Sequence, residues 1–509
     1  MNKISYMGQK QSLFFLVLLI SAILLFNSRW ISLDSGEVLN TEVPRFLYAY
    51  YYHYSPSLDL SNYFSVGLYP PAYFSICVHF CRYLHIDFNR KNCVLINSLY
   101  VILALIGMFL LGHSVLKKPF WGVFSSLVLA NFPLFLYSSK KFVLEIGVLP
   151  WVIFAIYLLA VNIKWDNLLK STFFGAIVGI GCLFKWTFPA YIIGPFFLSA
   201  IYALVNNPLS RKRILLNIIL SSLTGIIICG IWYIFYFNYS AFSSEFKEYF
   251  FENSLYAHGS YWGCLKYNIP LVTRTLVRGI TPLFLLVFLT SFILKWNKIK
   301  GYFITKLLII WFITPLIIFC FLPSDYSSRY LLPTIPALSV LLLLAVDKFS
   351  SKVKPGLITA IIIMCLWNIL YETLIYRPPQ KIQQNTFLPI IEKILASADS
   401  KTSNLKIAFN GFHDSKYEET EDIFNVFWFY KIDKKFRYDI AHFNKANNAD
   451  SILDFDYIIS LAIGDNKSLH NKFINNKYNV MFKFRHRYRD DVDSEFDWDS
   501  GLDYIVFKK

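Results

Sequence analysis

The sequence predicts a polytopic α-helical membrane protein that ends in a small α/β domain. Of its 509 residues, 56% are hydrophobic and 19% are aromatic, and the mean hydropathy is +0.45. These values exceed those of soluble globular chains. Apolar runs alternate with short basic segments, and beyond about Arg377 the composition becomes polar, charged and rich in asparagine and lysine. We therefore expect a membrane part over residues 1–376 and a separate domain over residues 377–509.

The charge pattern predicts the orientation of the chain. A formal charge of +16 would suggest a nucleic-acid partner in a soluble protein, but these cations cluster in short loops between apolar runs, as the positive-inside rule describes. We expect no nucleic-acid partner. Lys3 and Lys10 precede the first apolar run, and no small-residue cleavage pattern follows it. We predict a retained first helix with a cytoplasmic N-terminus.

The apolar runs predict about eleven transmembrane helices. The run over residues 171–205 has basic segments at both ends and Lys185-Trp186-Thr187 near its middle, so we expect it to cross the membrane twice and turn near Lys185. An odd number of spans places the C-terminal domain on the outer face. The predicted spans are residues 13–26, 94–116, 121–137, 146–163, two helices within 171–205, 214–236, 281–294, 303–322, 330–346 and 357–376.

Two predicted outer loops have the composition of a binding site. The first, residues 28–93, carries Asp34-Ser35-Gly36-Glu37 just after the first span and Tyr69-Pro70-Pro71 further on. A carboxylate at this boundary stays ionised and can face a lipid headgroup. The second loop, residues 237–278, combines arginines with aromatic residues. That composition suits a phosphate and a sugar ring, although an interfacial aromatic belt looks much the same.

Predicted topology gathers acids and bases at one membrane face. Such a gathering favours chemistry on an anionic, lipid-linked substrate, whereas a secondary transporter would show midplane charges and related halves. Three of these residues also have a structural alternative. Glu145 would cap a helix N-terminus, worth ~0.3–1 kcal/mol, Lys185 would snorkel, and Arg329 would pair with Asp325. The gathered residues are Asp34, Glu37, Lys140, Lys141, Glu145, Lys185, His258, Arg274, Asp325 and Arg329.

The eight cysteines predict no metal site, because none of them shows CxxC or zinc-finger spacing. Two interpretations stay open for those on the predicted outer side. They form a disulfide, or they are buried free thiols. The four cysteines concerned are Cys77, Cys81, Cys93 and Cys264.

The polar C-terminal segment reads as a small α/β domain. Three stretches have strand character, at residues 405–409, 457–461 and 504–507, and two have helical periodicity, at residues 386–396 and 417–429. No GxGxxG or P-loop pattern accompanies them, so we predict no nucleotide site there.

Several motifs together resemble the GT-C superfamily of membrane glycosyltransferases, in the branch of protein O-mannosyltransferases and lipid A aminoarabinose transferases. The resemblance covers roughly residues 12–350. Its motifs are Asp34-Ser35-Gly36-Glu37, Tyr69-Pro70-Pro71, Leu144-Glu145, the Gly-x-x-x-Lys-Trp-Thr segment from Gly181 to Thr187, and Arg329-Tyr330-Leu331-Leu332-Pro333 followed by Pro336-Ala337-Leu338.

This resemblance implies an inverting transfer of a sugar from a polyprenyl-phosphate carrier to an outer-face acceptor. Asp34 aligns with the catalytic base and Glu145 with the second acidic residue, which would orient an acceptor or a cation. Arg329, Lys185 or the Lys140-Lys141 pair would stabilise the leaving phosphate. We also expect substrate contacts from Glu37, Tyr69, His258 and Arg274.

The resemblance has two departures. Aminoarabinose transferases have a lysine before Pro-Pro, where this chain has Tyr69, and often an aspartate where it has Glu145. Some other cation must then hold the carrier phosphate, and lipid A is not supported as the acceptor. We expect a lipid-linked sugar donor, a glycan, lipid or protein acceptor, no obligatory cofactor, and room for a divalent cation.

Two other classes of function remain open. A lipid-linked glycan polymerase, ligase or flippase would share the basic outer loops without needing a base at Asp34. A non-enzymatic membrane scaffold would simply display the C-terminal domain. Low alanine with abundant isoleucine, lysine and asparagine indicates an AT-rich genome, and we expect a bacterial inner membrane. An endoplasmic reticulum membrane would give the same topology.

Overall fold

A computed structural model describes residues 8–33, 70–86, 90–238, 261–321 and 328–370, together with the strand segments 404–410, 437–442, 457–461, 479–487 and 501–508. The described residues fall into two compact units, one helical and one that contains the strands.

The helical unit begins with α1 and continues through a long series of helices. Short 3-10 turns at Pro208–Ser210 and Ser328–Leu331 separate some of them. The α-helices are α1 (Gln9–Leu33), α2 (Ala72–Tyr83), α3 (Arg90–Leu95), α4 (Asn97–Leu116), α5 (Pro119–Ala130), α6 (Pro133–Ser139), α7 (Leu144–Val161), α8 (Leu168–Phe184), α9 (Phe188–Asn206), α10 (Arg211–Asn238), α11 (Tyr261–Ile280), α12 (Pro282–Ile299), α13 (Phe303–Phe321), α14 (Pro336–Asp347) and α15 (Lys354–Leu370).

Length and composition make this a multi-pass membrane protein. Within the described residues, 7 helices are long and apolar enough to cross a bilayer. The number rises to 8 if the bent pair α5–α6 is counted as one span. Helices α8, α14 and α15 are apolar but shorter. The count of about eleven spans thus stays a prediction.

The predicted single span over residues 121–137 is instead two helices, α5 and α6, bent by 73°. Pro133 starts α6 and holds Phe132 in an extended conformation, with φ −69° and ψ 129°. Proline disfavours the helical conformation in the residue before it, so α5 ends at Ala130. The bend brings Ser139 and the two lysines after it back toward the start of α7.

Helix α7 forms the centre of the helical unit. It is apolar on all sides, and its first turns are fully buried against α4, α8 and α9. A helix that is hydrophobic all round belongs in a core. By contrast, α10 exposes large aliphatic side chains such as Leu223, Ile226 and Ile227, as a lipid-facing helix does.

Small residues allow α8 and α10 to approach closely. A Cβ at Gly175 would lie 2.0 Å from the Ser221 carbonyl oxygen, and one at Gly179 would lie 2.8 Å from the Gly225 carbonyl oxygen. This is a small-xxx-small interface on both helices, a common device where lipid offers no hydrophobic driving force.

One predicted loop is partly a helix. Residues 261–278 of the expected outer loop belong to α11, which has a buried stripe at Cys264, Asn268, Val272, Thr275 and Gly279. This stripe follows the 3.6-residue period. Lysine and arginine on the other face lower the hydropathy, which is why an amphipathic helix resembles a loop in a composition scan. The predicted span 330–346 also starts later, at Pro336, after the 3-10 turn that contains Arg329 and Tyr330.

The C-terminal unit contains a five-stranded mixed sheet. Its strands are β1 (Asn404–Asn410), β2 (Arg437–His442), β3 (Tyr457–Leu461), β4 (Asn479–Arg487) and β5 (Gly501–Lys508), in the order β2-β1-β3-β5-β4. β1 pairs in parallel with β2 and β3, and β5 pairs antiparallel with β3 and β4. The three predicted strands coincide with β1, β3 and β5, β2 and β4 were not predicted, and the α/β domain as a whole stays a prediction. The two predicted helices lie outside the described residues.

Candidate active site

The candidate site is built around Glu145 in the first turn of α7. Val143 precedes the helix in an extended conformation, and the Glu145 side chain is 0% exposed. A carboxylate in this position gains from the helix dipole, but full burial costs far more unless cations compensate it.

Two cations compensate Glu145. The Lys185 Nζ lies 2.6 Å from Glu145 Oε1, and the Arg329 Nε lies 3.3 Å from the same oxygen. Their side chains are only 3% and 13% exposed. Lys185 is thus enclosed by protein rather than extended toward solvent, in contrast to the snorkelling alternative. Arg329 pairs with Glu145, and the alternative partner Asp325 lies outside the described residues.

The Gly-x-x-x-Lys segment has a structural explanation in the turn between α8 and α9. Lys185 ends α8 in an extended conformation, with φ −159° and ψ 133°, as the predicted turn near Lys185 requires. A Cβ at Gly181 would lie 2.2 Å from the Phe188 ring. Glycine at 181 lets α9 fold back tightly, and this turn directs Lys185 at α7.

Two tyrosines that the sequence did not mark as site residues complete this cluster. Lys185 Nζ lies 4.1 Å from the centre of the Tyr330 ring, a cation–π distance. The Tyr191 hydroxyl donates to the Tyr330 carbonyl oxygen at 2.9 Å, which ties α9 to the turn that carries Arg329. Tyr330 belongs to the motif that begins at Arg329, but nothing in the sequence distinguishes Tyr191 from a core aromatic residue.

Among the described residues, the cluster combines one carboxylate with two cations, and both cations contact Glu145 Oε1 in a poorly hydrated environment. Such a group can accept an anion, and arginine is suited to bidentate contact with phosphate.

A second buried basic group precedes α7. Lys140 and Lys141 are 2% and 6% exposed, and Lys140 Nζ lies 3.9 Å from the Trp30 ring centre. The Asn27 amide donates to Ser139 Oγ at 3.0 Å. These contacts join the C-terminal end of α1 to the segment that leads into Glu145.

Asn97 on α4 fixes the same segment from the other side. Its amide donates to the Lys141 carbonyl oxygen at 2.6 Å and to the Ser139 carbonyl oxygen at 3.2 Å. Tyr73 of α2 donates to Asn97 Oδ1 at 2.9 Å. Three helices, α1, α2 and α4, thus fix the segment of residues 139–141, and this framework was not predicted.

The remaining predicted site residues are not among those that contact Glu145 in the described part of the chain. Arg274 lies on the exposed face of α11. The others fall outside the described residues, namely Asp34, Glu37, Tyr69 and His258.

The cysteines are thiols and not disulfides. None of the eight forms a disulfide, so the disulfide alternative for the four outer-side cysteines is wrong, and each of these four is buried. Three of them, Cys77, Cys81 and Cys93, nevertheless lie together. Spacing rules missed this group because two helices contribute to it.

Comparison with known proteins identifies a shared fold. No protein-family model matches the sequence, and no characterised protein matches it by sequence. ArnT from Cupriavidus metallidurans bound to undecaprenyl phosphate matches with a TM-score of 0.56 at 13% identity, over 96% of this chain and 97% of that chain. The apo state of the same protein gives 0.56 at 14% identity, with the same coverage.

A more distant match is the archaeal oligosaccharyltransferase AglB from Archaeoglobus fulgidus in complex with an inhibitory peptide and a dolichol-phosphate. Its TM-score of 0.43 at 13% identity covers 87% of this chain and 69% of that chain, too weak for comparison. The chain shares the fold of ArnT over nearly the full length of both. The resemblance first seen in the motifs is therefore confirmed at the level of the fold.

Proposed function

We propose that this protein is an integral-membrane glycosyltransferase. It transfers a sugar from a polyprenyl-phosphate carrier to a lipid, glycan or protein acceptor on the outer face of a bacterial inner membrane. The observation that carries the proposal is the buried cluster in which Lys185 and Arg329 both contact Glu145, inside a fold shared with ArnT.

Lys185 and Arg329 are assigned to the phosphate of the carrier. As the bond between the anomeric carbon and the phosphate oxygen breaks, its electron pair stays on the phosphate. Cations that are already in place stabilise that developing charge without reorganisation. Glu145 holds both cations in position and keeps them desolvated. Lys140 and Lys141 supply further positive charge at the entrance to α7.

Asp34 is assigned as the general base. It would take the proton of the acceptor hydroxyl while that oxygen attacks the anomeric carbon from the face opposite the phosphate, which inverts the configuration. Two facts support the assignment. Asp34 follows α1 directly in the sequence, and Trp30, one turn earlier, contacts Lys140. Glu37, Tyr69, His258 and Arg274 are assigned to the substrates on the resemblance alone.

No step of the proposed reaction is assigned to a metal ion. All described cluster members belong to residues 1–376, to which we assign the chemistry, and residues 377–509 form a separate extracytoplasmic domain.

The decisive test is the substitution Asp34→Asn, which keeps the size and polarity of the side chain but removes the base. We expect transfer to fall by roughly 10²–10⁴-fold. A polyprenyl-phosphate sugar should accumulate in cells, and one surface glycan should lose a residue. Mass spectrometry of lipid-linked sugars and glycans, in null cells complemented with each variant, measures both.

Asp166→Asn is the matched control, since Asp166 is exposed in the loop beyond the opposite end of α7. It should behave as wild type. If the Asp34→Asn variant restores the glycan to the null cells, Asp34 is not the base, and a flippase, polymerase or scaffold explains the null phenotype better. If the null itself shows no change in lipid-linked sugars or glycans, the transferase proposal fails.

A further inference from the structure

A compact group of thiols lies apart from the acidic cluster. Cys77 and Cys81 project from successive turns of α2, and Cys93 comes from α3. Their sulfur atoms lie within 4.8 Å of one another, and all three residues are 0% exposed. This is the only such group of potential metal ligands among the residues that the structure describes.

The spacing of the sulfur atoms fits a metal ion. Thiolates bound to one ion at about 2.3 Å lie roughly 3.8–4.0 Å from one another, so small side-chain movements would complete the site. Positions i and i+4 of a helix present two ligands to one ion, as they do in the HExxH motif. The same two positions suit a disulfide poorly, because their Cα–Cβ bonds point in the same direction.

We propose that Cys77, Cys81 and Cys93 bind one thiophilic d¹⁰ metal ion, Cu(I) or Zn(II), as thiolates. Each thiol gives its proton to the solvent when the ion binds, and the ion compensates the negative charge that burial would otherwise disfavour. Soft thiolate ligands select these two ions among the common metals. Three thiolates suffice for Cu(I), whereas Zn(II) would take one further ligand.

The ion would act on structure and not on the transfer reaction. It would tie α2 to α3, which leads directly into α4. These helices carry Tyr73 and Asn97, whose hydrogen bonds define the backbone of residues 139–141. The inference is independent of the proposed function, because it concerns metal content and not turnover.

The experiment measures metal content in the full-length protein, purified in detergent with a reductant and without chelators. Cu(I) or Zn(II) alone is added, excess ion is removed, and the bound ion is quantified by mass spectrometry. We expect one ion per chain in the wild type. Cys81→Ser should lose it, whereas Cys365→Ser should retain it. Cys365 is a suitable control because it is a buried cysteine on α15, outside the group.

A measurement on the wild type alone covers the case in which Cys81→Ser does not fold. Co(II) replaces Zn(II), and the intensity of its thiolate charge-transfer bands reports the number of sulfur ligands. Bands for three thiolates support the site. The proposal is overturned if neither Cu(I) nor Zn(II) binds stoichiometrically, if Cys81→Ser binds as well as wild type, or if thiol counting finds a disulfide within the group.

Discussion

Glu145 illustrates how a buried charge serves two roles. Its carboxylate holds Lys185 and Arg329 in place, and its own charge prevents the two cations from repelling each other in a desolvated pocket. Such a pair gives little net stability relative to an apolar core, but removal of one partner leaves an uncompensated charge that costs about 3–5 kcal/mol. The arrangement therefore favours a binding role over a purely structural one.

A double-mutant cycle tests this interpretation. Glu145→Gln should lower the unfolding temperature strongly, because two cations lose their counter-charge. Glu145→Gln combined with Lys185→Met should recover part of the loss, since one buried cation is also removed. The measurement is thermal unfolding in detergent. A double variant that is less stable than Glu145→Gln would show that Lys185 does not depend on Glu145.

Lys185→Met alone separates binding from folding. Glu145 still faces Arg329, so we expect the variant to insert and purify normally. Loss of one phosphate cation should weaken the interaction with the carrier by roughly 10–100-fold, as for other hydrogen bonds to charged groups. Titration with polyprenyl phosphate measures this effect. As a control, Lys170→Met removes a lysine at the start of α8, the opposite end from Lys185, and should leave carrier affinity unchanged.

At the scale of elements, the packing of α8 against α10 depends on close contact between the two helix backbones. Gly175 and Gly179 face Ser221 and Gly225 on α10 with no space for a side chain. Because α8 ends at Phe184 and presents Lys185 to Glu145, the position of this helix also sets the geometry of the site.

Gly175→Ala should therefore destabilise the protein by about 1–3 kcal/mol, the range for overpacking. The added Cβ would meet the Ser221 carbonyl oxygen, which cannot move without shifting α10. Gly230→Ala on α10 is the matched control, since a Cβ there would meet only Ile226 Cγ2, at an ordinary 3.6 Å. Comparable unfolding temperatures for the two variants would contradict the role of this interface.

The whole molecule combines a helical unit with a sheet-containing unit, and its function depends on which side of the membrane each end occupies. Basic loops and the count of about eleven spans predict a cytoplasmic N-terminus and an outer C-terminal domain. The donor and acceptor chemistry proposed for Asp34 requires the same orientation.

Reporter fusions test that orientation directly. An alkaline phosphatase that folds only outside the cytoplasm should be active when joined after Lys509 and inactive when joined after Lys300. The second point lies in the basic segment between α12 and α13. Activity at Lys300 with none at Lys509 would invert the topology and remove Asp34 from the outer face.

The sequence by itself determined the membrane class, most helix positions and the residues of the acidic–basic cluster taken one at a time. Hydropathy and charge are local properties, so the sequence alone predicts the span at residues 303–322 and the turn at Lys185. Tertiary structure alone decided that Glu145 faces both Lys185 and Arg329, that Asn97 fixes residues 139–141, and that Cys93 joins Cys77 and Cys81. Each of these contacts joins different helices, and no local periodicity encodes how helices pack against one another.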